Sequence, residues 1–312
     1  MSPRRAHAEE AAPVSYASCV RSWLFVPGDS ARKQEKAATS GADALILDLE
    51  DSVTADLLPQ ARTRVRQLLS SRAQRSAQQL WVRVNALSSG KLSADLEGVM
   101  AGAPDGIVLP KVSLAREAVE VGRLLSLLER QHGYADGATP LMVIATETAQ
   151  SLFALGDYAS TANPRLAALT WGAEDLSAAL GANARAADGT LTFTFELARS
   201  MCLLAASAAG VPAIDGVCTD LRNPAQLTRE AERAGRDGFT GKLAIHPAQV
   251  ETINALFNPQ PAEIARARAV IAAFAAAPDA GVLSLDGQML DRPHLVRAQR
   301  ILARAERARV RS

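Results

Sequence analysis

The sequence is poor in histidine, cysteine and aromatic residues, and these shortages narrow the chemistry that the protein can carry out. It has four histidines and three cysteines in 312 residues, and aromatic side chains make up 4%. No two histidines stand at metal-ligand spacing, and Cys19, Cys202 and Cys218 form no CxxC pair. A zinc site and a disulfide framework are therefore not expected, and we predict reduced thiols in a cytoplasmic protein.

Long apolar runs and an excess of one charge are also missing. No apolar segment approaches the ~18 residues of a membrane span. The net charge is +1, so the sequence has no electrostatic footprint of a nucleic-acid or membrane partner. The first residues are basic but contain no apolar segment, so residues 1–20 are predicted to be a flexible lead-in and not a secretory signal.

Eight short apolar runs, each ending in charged or polar residues, organise the chain. They are, in order, LFVPGD, ALILDLED, WVRVN, GIVLPK, MVIATE, LTWGAED, VPAIDGV and KLAIHP. Helix-like stretches follow most of them, and eight successive strand–helix units predict a closed parallel (β/α)8 TIM barrel over residues 21–256. In this fold the active site lies at the carboxyl ends of the strands, so the polar residues there are candidate site residues.

The residues after the barrel are predicted to form an appendage, residues 257–312. It contains a helical stretch, a hairpin with an Asp286-Gly287 turn, and a basic helix that begins near Pro293. The appendage is too short for a second full domain, but it is long enough to cover a neighbouring subunit.

Alternation along the strands predicts which polar side chains point into the barrel mouth. In ALILDLED the leucines share one face, so Asp48 and Glu50 are expected to turn inward. The same count places Arg83 on one face with Asn85, and Glu147 on one face with the residues two and four before it.

Two carboxylates, Glu147 and Asp175, end the fifth and sixth strands, which are neighbours in the predicted barrel. Adjacent strands lie about 4.8 Å apart, so these side chains can converge on one hard divalent ion. An oxygen-rich site with few protein ligands favours Mg²⁺ over Zn²⁺. Spacing alone leaves open that either carboxylate pairs with Arg83 or caps a helix.

Three basic side chains are expected at the same end of the barrel. Arg83 suits bidentate binding of a carboxylate or stabilisation of an oxyanion, and equally a structural ion pair with Asp48 or Glu50. The two interpretations are compatible, since Glu50 can hold Arg83 in its working orientation. Lys111 suits either an anion site or a structural role. His246 suits either acid–base catalysis or a hydrogen-bonded structural role.

Nine sequence blocks carry a family resemblance. They are SWLFVPGD, GADALILDLEDSV, WVRVN, GIVLPKV, ATETA, LTWGAEDL, AIDGVCTDLRN, GFTGKLAIHPAQV and DGQMLDRPHLVRAQRIL, in this order, over about residues 20–305. Together they closely resemble the citrate lyase β-subunit-like branch of the HpcH/HpaI aldolase family, which contains citryl-CoA, malyl-CoA and citramalyl-CoA lyases. The resemblance implies a TIM barrel that binds Mg²⁺ and a CoA thioester and cleaves a 3-hydroxyacyl-CoA to acetyl-CoA and a keto acid.

The resemblance also implies roles for individual residues. Glu147 and Asp175 would be the metal ligands, and Arg83, supported by Glu50, would contact the acid or the thioester-derived enolate. Asp291, in MLDRP, matches an aspartate that the family's C-terminal segment delivers to a neighbouring subunit's site. Homotrimers, or dimers of them, are typical of relatives. Some relatives act on a substrate carried by an acyl-carrier subunit, so such a partner stays open here.

Three basic residues are candidates for binding CoA, and two other residues differ from the family pattern. Arg21, Arg32 and Lys36 surround the first strand and its helix, where relatives hold basic residues for the CoA phosphates; ordinary solvated charges are the alternative. Thr146 and Gln150 stand where relatives often have isoleucine and arginine or a small residue. This departure concerns substrate preference and leaves the neighbouring metal ligand in place.

Three other functions are alternatives to the lyase. A CoA-independent aldolase, as in the other family branch, relies on a histidine in an early loop, and no histidine follows the first two strands here. A malate synthase-like or thioester-hydrolysing enzyme would act on the same thioesters and stays open. A non-catalytic subunit of a citrate lyase complex is disfavoured because the candidate catalytic residues are intact.

Overall fold

Eight parallel strands close into a barrel in the computed structural model of the chain, which describes residues 20–72 and 78–311, with side chains described as far as residue 306. The strands are β1 (Ser22–Pro27), β2 (Ala44–Asp48), β3 (Gln79–Arg83), β4 (Gly106–Leu109), β5 (Leu141–Ile144), β6 (Leu166–Thr170), β7 (Ala213–Asp215) and β8 (Gly241–Ala244). Each pairs in parallel with the next, and β8 returns to β1. The predicted TIM barrel is therefore confirmed.

Helices cover the outside of the barrel. They are α1 (Ala31–Ala38), α2 (Leu58–Ser71), α3 (Leu92–Met100), α4 (Ala115–His132), α5 (Ala149–Ala154), α6 (Asp157–Ser160), α7 (Ala173–Leu180), α8 (Phe193–Ala208), α9 (Pro224–Asp237) and α10 (Val250–Phe257). Within the described residues, no helix combines the length and the apolarity needed to cross a membrane. The predicted lead-in, residues 1–20, lies outside the described residues except for its last residue.

Side-chain alternation divides the apolar residues into two layers. Leu45 and Leu47 of β2 pack outward against the helices, whereas Ile46 points into the barrel interior. In the interior the rings of Trp23 and Trp81 meet edge to face, with their centroids 5.1 Å apart. The predicted inward and outward faces of β2 are thus confirmed.

A glycine makes room for this interior tryptophan pair. A Cβ on Gly106 of β4 would lie 2.3 Å from the ring of Trp81 on the neighbouring strand. Both tryptophans are fully buried, so the ring has no free space to move into. The large indole on β3 therefore depends on the missing side chain on β4.

The appendage forms a small unit with its own core. It consists of α11 (Pro261–Ala276), the antiparallel hairpin β9 (Val282–Leu285) and β10 (Gln288–Asp291), and α12 (Arg292–Arg311). The predicted turn is present, with Asp286 and Gly287 both at positive φ, as a tight hairpin turn requires. Val270 and Phe274 of α11 pack against Leu290 of the hairpin, separately from the barrel core. That the appendage covers a neighbouring subunit stays a prediction.

Candidate active site

A cavity of about 380 Å³ opens at the carboxyl ends of the strands, where the fold predicts the active site. Its apolar lining includes Phe25, Ile144, Trp171, Val217 and Leu243, and its polar lining includes Asp48, Asp51, Arg83, Glu147, Glu174 and Asp175. The predicted metal ligands and the predicted catalytic arginine therefore share one cavity.

Arg83 is fixed at the end of β3 by the acids that follow β2. Its Nε and Nη2 atoms donate to the two carboxylate oxygens of Asp48 at 2.6 and 2.7 Å. Its Nη1 atom lies 2.9 Å from Glu50, and its guanidinium covers the ring of Phe25 at 4.8 Å. Although burial opposes its charge, the bonds and charges of Asp48 and Glu50 raise the pKa of Arg83 above its usual range. The guanidinium is therefore permanently charged and held in one orientation.

Glu147 lies three residues beyond the end of β5, and the surrounding loops determine its position. It is 5% exposed, and its Oε2 atom accepts a hydrogen bond from the backbone N–H of Lys111 at 2.5 Å. Its Cγ atom packs so close to Gly172 that a Cβ there would lie 2.9 Å away. The N–H of Gly172 donates to the hydroxyl of Thr146 at 3.1 Å, which links the loop after β5 to the loop after β6. Thr146 thus helps to position the Glu147 loop.

Asp175 approaches the same cavity from the first turn of α7, together with Glu174. Its side chain is 29% exposed, and its Oδ1 atom lies 3.3 Å from the ammonium group of Lys111. The same ammonium contacts Glu50, and it lies 3.1 Å from Asp51. Lys111, whose role the sequence left open, is therefore central to the site.

Acidic groups outnumber cationic groups at this mouth. Burial raises the pKa of Glu147 to about 8, and the charge of Asp175 adds to the rise although the Lys111 N–H opposes it. A cation placed beside these two carboxylates would relieve the desolvation and repulsion that hold this pKa up.

The donor atoms fit Mg²⁺. Glu147 and Asp175 offer only carboxylate oxygens, which are ligands that Mg²⁺ prefers. In the part of the chain that the structure describes, no group of three or more His, Cys, Asp or Glu residues has metal-binding geometry. Two protein ligands agree with the usual Mg²⁺ site, where water and substrate oxygens supply the remaining positions.

Arg21 does not lie at the mouth. It precedes β1 and so stands at the amino end of the barrel, where its side chain bonds to Asp43 at 2.8 Å and to Asn258 at 2.9 Å. The predicted contact between Arg21 and CoA needs correction, because a residue before a strand and a residue after it lie at opposite ends of the barrel. Arg32 and Lys36 are exposed on α1, with Arg32 in the turn nearer the mouth, and their contacts to CoA stay predictions.

Alternation fails where the strands end, and two predicted faces need correction. Asn85 does not share a face with Arg83, since its amide donates to Asp95 of α3 at 2.8 Å. Val143 packs in the outer layer although Glu147 lines the mouth. In both segments the next residue, Val84 or Ala145, still packs in the outer layer, so the alternation ends after the first residue beyond the strand.

Two further strand-end residues have structural roles. Asp215 is 2% exposed and bonds to Arg199 and Lys242, each at 2.8 Å, outside the barrel interior. His246 accepts a hydrogen bond from the N–H of Ala248 at 3.1 Å and caps a short 3₁₀ turn. The structural interpretation of His246 is therefore the one that the geometry supports.

Asp291 lies in the appendage and does not line the cavity of its own chain. Its Oδ1 atom is 2.5 Å from Nδ1 of His294, at the start of α12. A catalytic role for Asp291 requires a neighbouring subunit, and it stays a prediction.

Comparison with known proteins agrees with this geometry. The model of the HpcH/HpaI aldolase/citrate lyase family matches residues 21–247. Among curated proteins, a (3S)-malyl-CoA thioesterase of Cereibacter sphaeroides is 38% identical over 289 residues, covering 92% of this chain and 94% of the relative. Citrate lyase subunit beta of Escherichia coli K12 is 37% identical over 293 residues, covering 93% of this chain and 95% of the relative.

Solved structures resemble the whole fold. Protein CitE of Mycobacterium tuberculosis, in complex with magnesium, acetoacetate and coenzyme A, is 33% identical with a TM-score of 0.75, covering 93% of this chain and 99% of that chain. A citrate lyase beta subunit from the same organism, complexed with oxaloacetate and magnesium, has a TM-score of 0.65 and 33% identity, covering 78% and 99%. The expected cofactor, Mg²⁺, is thus the metal present in these relatives.

The raised pKa of Glu147 predicts how the stability of the metal-free protein changes with pH. The native state holds the Glu147 proton up to about pH 8, whereas the unfolded state releases it near the ordinary glutamate value. The stabilising contribution is therefore complete below the unfolded pKa and is lost as pH rises through 8, by at most about 1.4 kcal/mol per pH unit.

Urea unfolding in EDTA between pH 5 and 8 measures this effect. We expect the free energy of unfolding to fall more steeply with pH for the wild type than for Glu147→Gln. Glu97→Gln, at an exposed position on α3, is the matched control and should follow the wild type. Parallel curves for the wild type and Glu147→Gln would contradict the assignment.

Proposed function

The chain belongs to the HpcH/HpaI aldolase/citrate lyase family, and we propose that it is a Mg²⁺-dependent carbon–carbon lyase acting on a 3-hydroxyacyl-CoA thioester. The products would be acetyl-CoA and a keto acid, with a substrate of the citramalyl-, malyl- or citryl-CoA type. The observation that carries the proposal is the cavity that Glu147, Asp175 and Arg83 share at the barrel mouth. The complex of the related CitE with magnesium, acetoacetate and coenzyme A supports the substrate class.

Glu147 and Asp175 are the residues that we propose to hold the metal. Both line the cavity, and both contact Lys111, Glu147 through the backbone N–H and Asp175 through the ammonium. The charge of Asp175 also helps to raise the pKa of Glu147, as expected for neighbouring carboxylates. When bound, Mg²⁺ would supply a Lewis acid that lowers the pKa of the substrate hydroxyl.

Arg83 stabilises the charge that develops when the carbon–carbon bond breaks. In a retro-aldol or retro-Claisen cleavage the electron pair moves onto the thioester oxygen and gives an enolate. A guanidinium that Asp48 and Glu50 already hold in place needs no reorganisation to meet this oxyanion. The apolar side chains of Phe25, Ile144 and Leu243 line the same cavity and reduce screening by water.

Asp291 of a neighbouring subunit would protonate the enolate carbon, or remove this proton in the condensation direction. The position of Asp291 on an appendage with its own core, away from the cavity of its own chain, supports such a shared site. We therefore propose a homotrimer, or a hexamer made of two trimers.

The buried free thiols Cys202 and Cys218 support a cytoplasmic location.

Hydrolysis of the thioester is the second candidate function. The similarity to a (3S)-malyl-CoA thioesterase over 92% of this chain favours it. Attack of water on the thioester carbonyl would use the same oxyanion contact with Arg83 and would release free CoA and an intact hydroxy acid. A malate synthase-like enzyme would also use this hydrolysis. The similarity to citrate lyase subunit beta leaves a substrate on an acyl carrier as a further form of the lyase.

A product analysis distinguishes these functions. We expect the purified protein with Mg²⁺ to convert one member of a panel of malyl-, citramalyl- and citryl-CoA to acetyl-CoA and a keto acid, followed by mass spectrometry. EDTA, Glu147→Gln and Asp175→Asn should each reduce the rate by at least about a hundredfold, because each removes a contribution from the metal. Free CoA with an intact hydroxy acid would identify a thioesterase. Cleavage that persists in EDTA would contradict the proposal.

Mixed oligomers test whether Asp291 acts in a neighbouring subunit. Arg83→Gln and Asp291→Asn should each abolish turnover, while Asp291→Asn should still bind Mg²⁺ and CoA. If each site takes Arg83 from one subunit and Asp291 from another, co-expressed variants at a 1:1 ratio should regain about one quarter of the wild-type rate, since subunits mix at random.

The control for this experiment is Asp279→Asn, an exposed aspartate between α11 and the hairpin, which should retain full activity. Full activity of Asp291→Asn would exclude its catalytic role. Mixed oligomers that stay inactive would show that Arg83 and Asp291 do not complete one site across subunits.

A further inference from the structure

Lys111 contacts both of the carboxylates that are proposed to hold the metal. Its backbone N–H donates to Oε2 of Glu147 at 2.5 Å, and its ammonium group lies 3.3 Å from Oδ1 of Asp175. Among the described residues it is the one cationic side chain within ion-pair distance of Asp175. The ammonium also contacts Glu50 and Asp51, which follow β2. One residue, through its backbone N–H and its side chain, thus links the proposed metal carboxylates to the acids beside Arg83.

The backbone at Lys111 is in a conformation that favours glycine. Its φ angle is +54°, and the other non-glycine residues with positive φ in the described chain are Ala103 and Asp286. Such strain persists where the surrounding contacts fix it, and it is frequent at functional sites. Here the left-handed turn directs the N–H toward Glu147 while the side chain reaches Asp175.

We propose that Lys111 makes metal binding at this site depend on the substrate. This inference rests on the proposed function. A divalent ion and the Lys111 ammonium compete for Asp175, and the two cations repel each other across a short distance. The ion alone is therefore bound weakly.

An anionic substrate strengthens the binding of the ion. A keto acid or a hydroxyacyl thioester with a terminal carboxylate adds oxygen ligands and negative charge beside the ion. Lys111 can then leave Asp175 and keep Glu50 and Asp51, which it already contacts. Metal and substrate should accordingly bind with positive coupling, and by thermodynamic linkage each increases the affinity for the other by the same factor.

Arg83 does not compete with the metal ion for Glu147 or Asp175. Both of its terminal nitrogens and Nε are engaged by Asp48 and Glu50, and it lies within ion-pair distance of neither Glu147 nor Asp175 among the described contacts. Lys111 is therefore a positioning residue that controls the metal carboxylates, whereas Arg83 faces the reacting thioester.

Calorimetric titration with MgCl₂ tests the inference, with and without saturating pyruvate as a simple keto acid. For the wild type we expect weak binding of Mg²⁺ alone and an affinity at least about fivefold higher with pyruvate, within the usual range of coupling between sites. Lys111→Met should bind Mg²⁺ alone at least about fivefold more tightly, and pyruvate should increase its affinity by a smaller factor than in the wild type, because only the direct ligation of the ion by pyruvate remains.

Three further variants distinguish the effect of the charge at residue 111, the effect of its backbone conformation, and the effect of the net charge of the protein. Lys111→Arg retains a positive charge and should retain most of the coupling. Lys111→Gly removes the ammonium, suits the positive φ angle, and should match Lys111→Met in Mg²⁺ affinity even if methionine disturbs folding. Lys91→Met removes an exposed lysine from the loop between β3 and α3 and should bind like the wild type.

The outcomes distinguish this inference from the proposed function. If the wild type binds Mg²⁺ and cleaves a CoA ester, while Lys111→Met and Lys111→Gly show wild-type affinity and coupling, the role of Lys111 is wrong and the lyase stands. If the wild type neither binds Mg²⁺ nor acts on any CoA ester, both proposals fail. Tighter Mg²⁺ binding in Lys91→Met as well would reduce the effect to net charge and overturn the specific role.

Discussion

Excess negative charge at one end of a closed barrel is the constraint on which the site depends. Barrel closure brings the ends of β2, β5 and β6 to one mouth, and the acids there are Asp48, Glu50, Asp51, Glu147, Glu174 and Asp175, against the cations Arg83 and Lys111. Burial of unbalanced carboxylates is costly, so such a mouth has to be completed by cations. The described part of the chain supplies two, and the proposed metal would add two further positive charges.

The two cations are held in different ways, and their proposed roles follow from this. Arg83 is nearly buried and is engaged bidentately by Asp48, so its position is fixed before any substrate arrives. Lys111 is more exposed, and its ammonium is shared among Glu50, Asp51 and Asp175. A fixed guanidinium suits stabilisation of an oxyanion, whereas a shared ammonium can redistribute when a second cation and an anion enter.

The sequence predicted the fold, and it predicted the positions of candidate site residues where regular structure governs them. The eight apolar runs predicted the strands, and the alternation in β2 correctly turned Asp48 and Glu50 inward. It was wrong for Asn85, because contacts with other segments decide its orientation: its amide donates to Asp95 and to the backbone oxygen of Leu49. The predicted face of Glu147 was wrong for the same reason, since its position depends on contacts with Gly172 and with the N–H of Lys111.

The contacts between loops could not be predicted from the sequence. Arg21 was placed near CoA because it is close to β1 in sequence, yet it lies before the strand and hence at the other end of the barrel. The role of Lys111 can be inferred only from the loops that contact it, although its position directly after β4 and Pro110 marked it as a candidate. Asp291 belongs to a unit whose partner surface is on another subunit in our proposal.

The most direct measurement of the central claim is anomalous diffraction from crystals grown with Mn²⁺, as a substitute for Mg²⁺, and pyruvate. We expect an anomalous peak between the carboxylates of Glu147 and Asp175, with the Lys111 ammonium moved from Asp175 toward Glu50 and Asp51. A peak elsewhere, or no peak while Lys111 still contacts Asp175, would exclude this metal site.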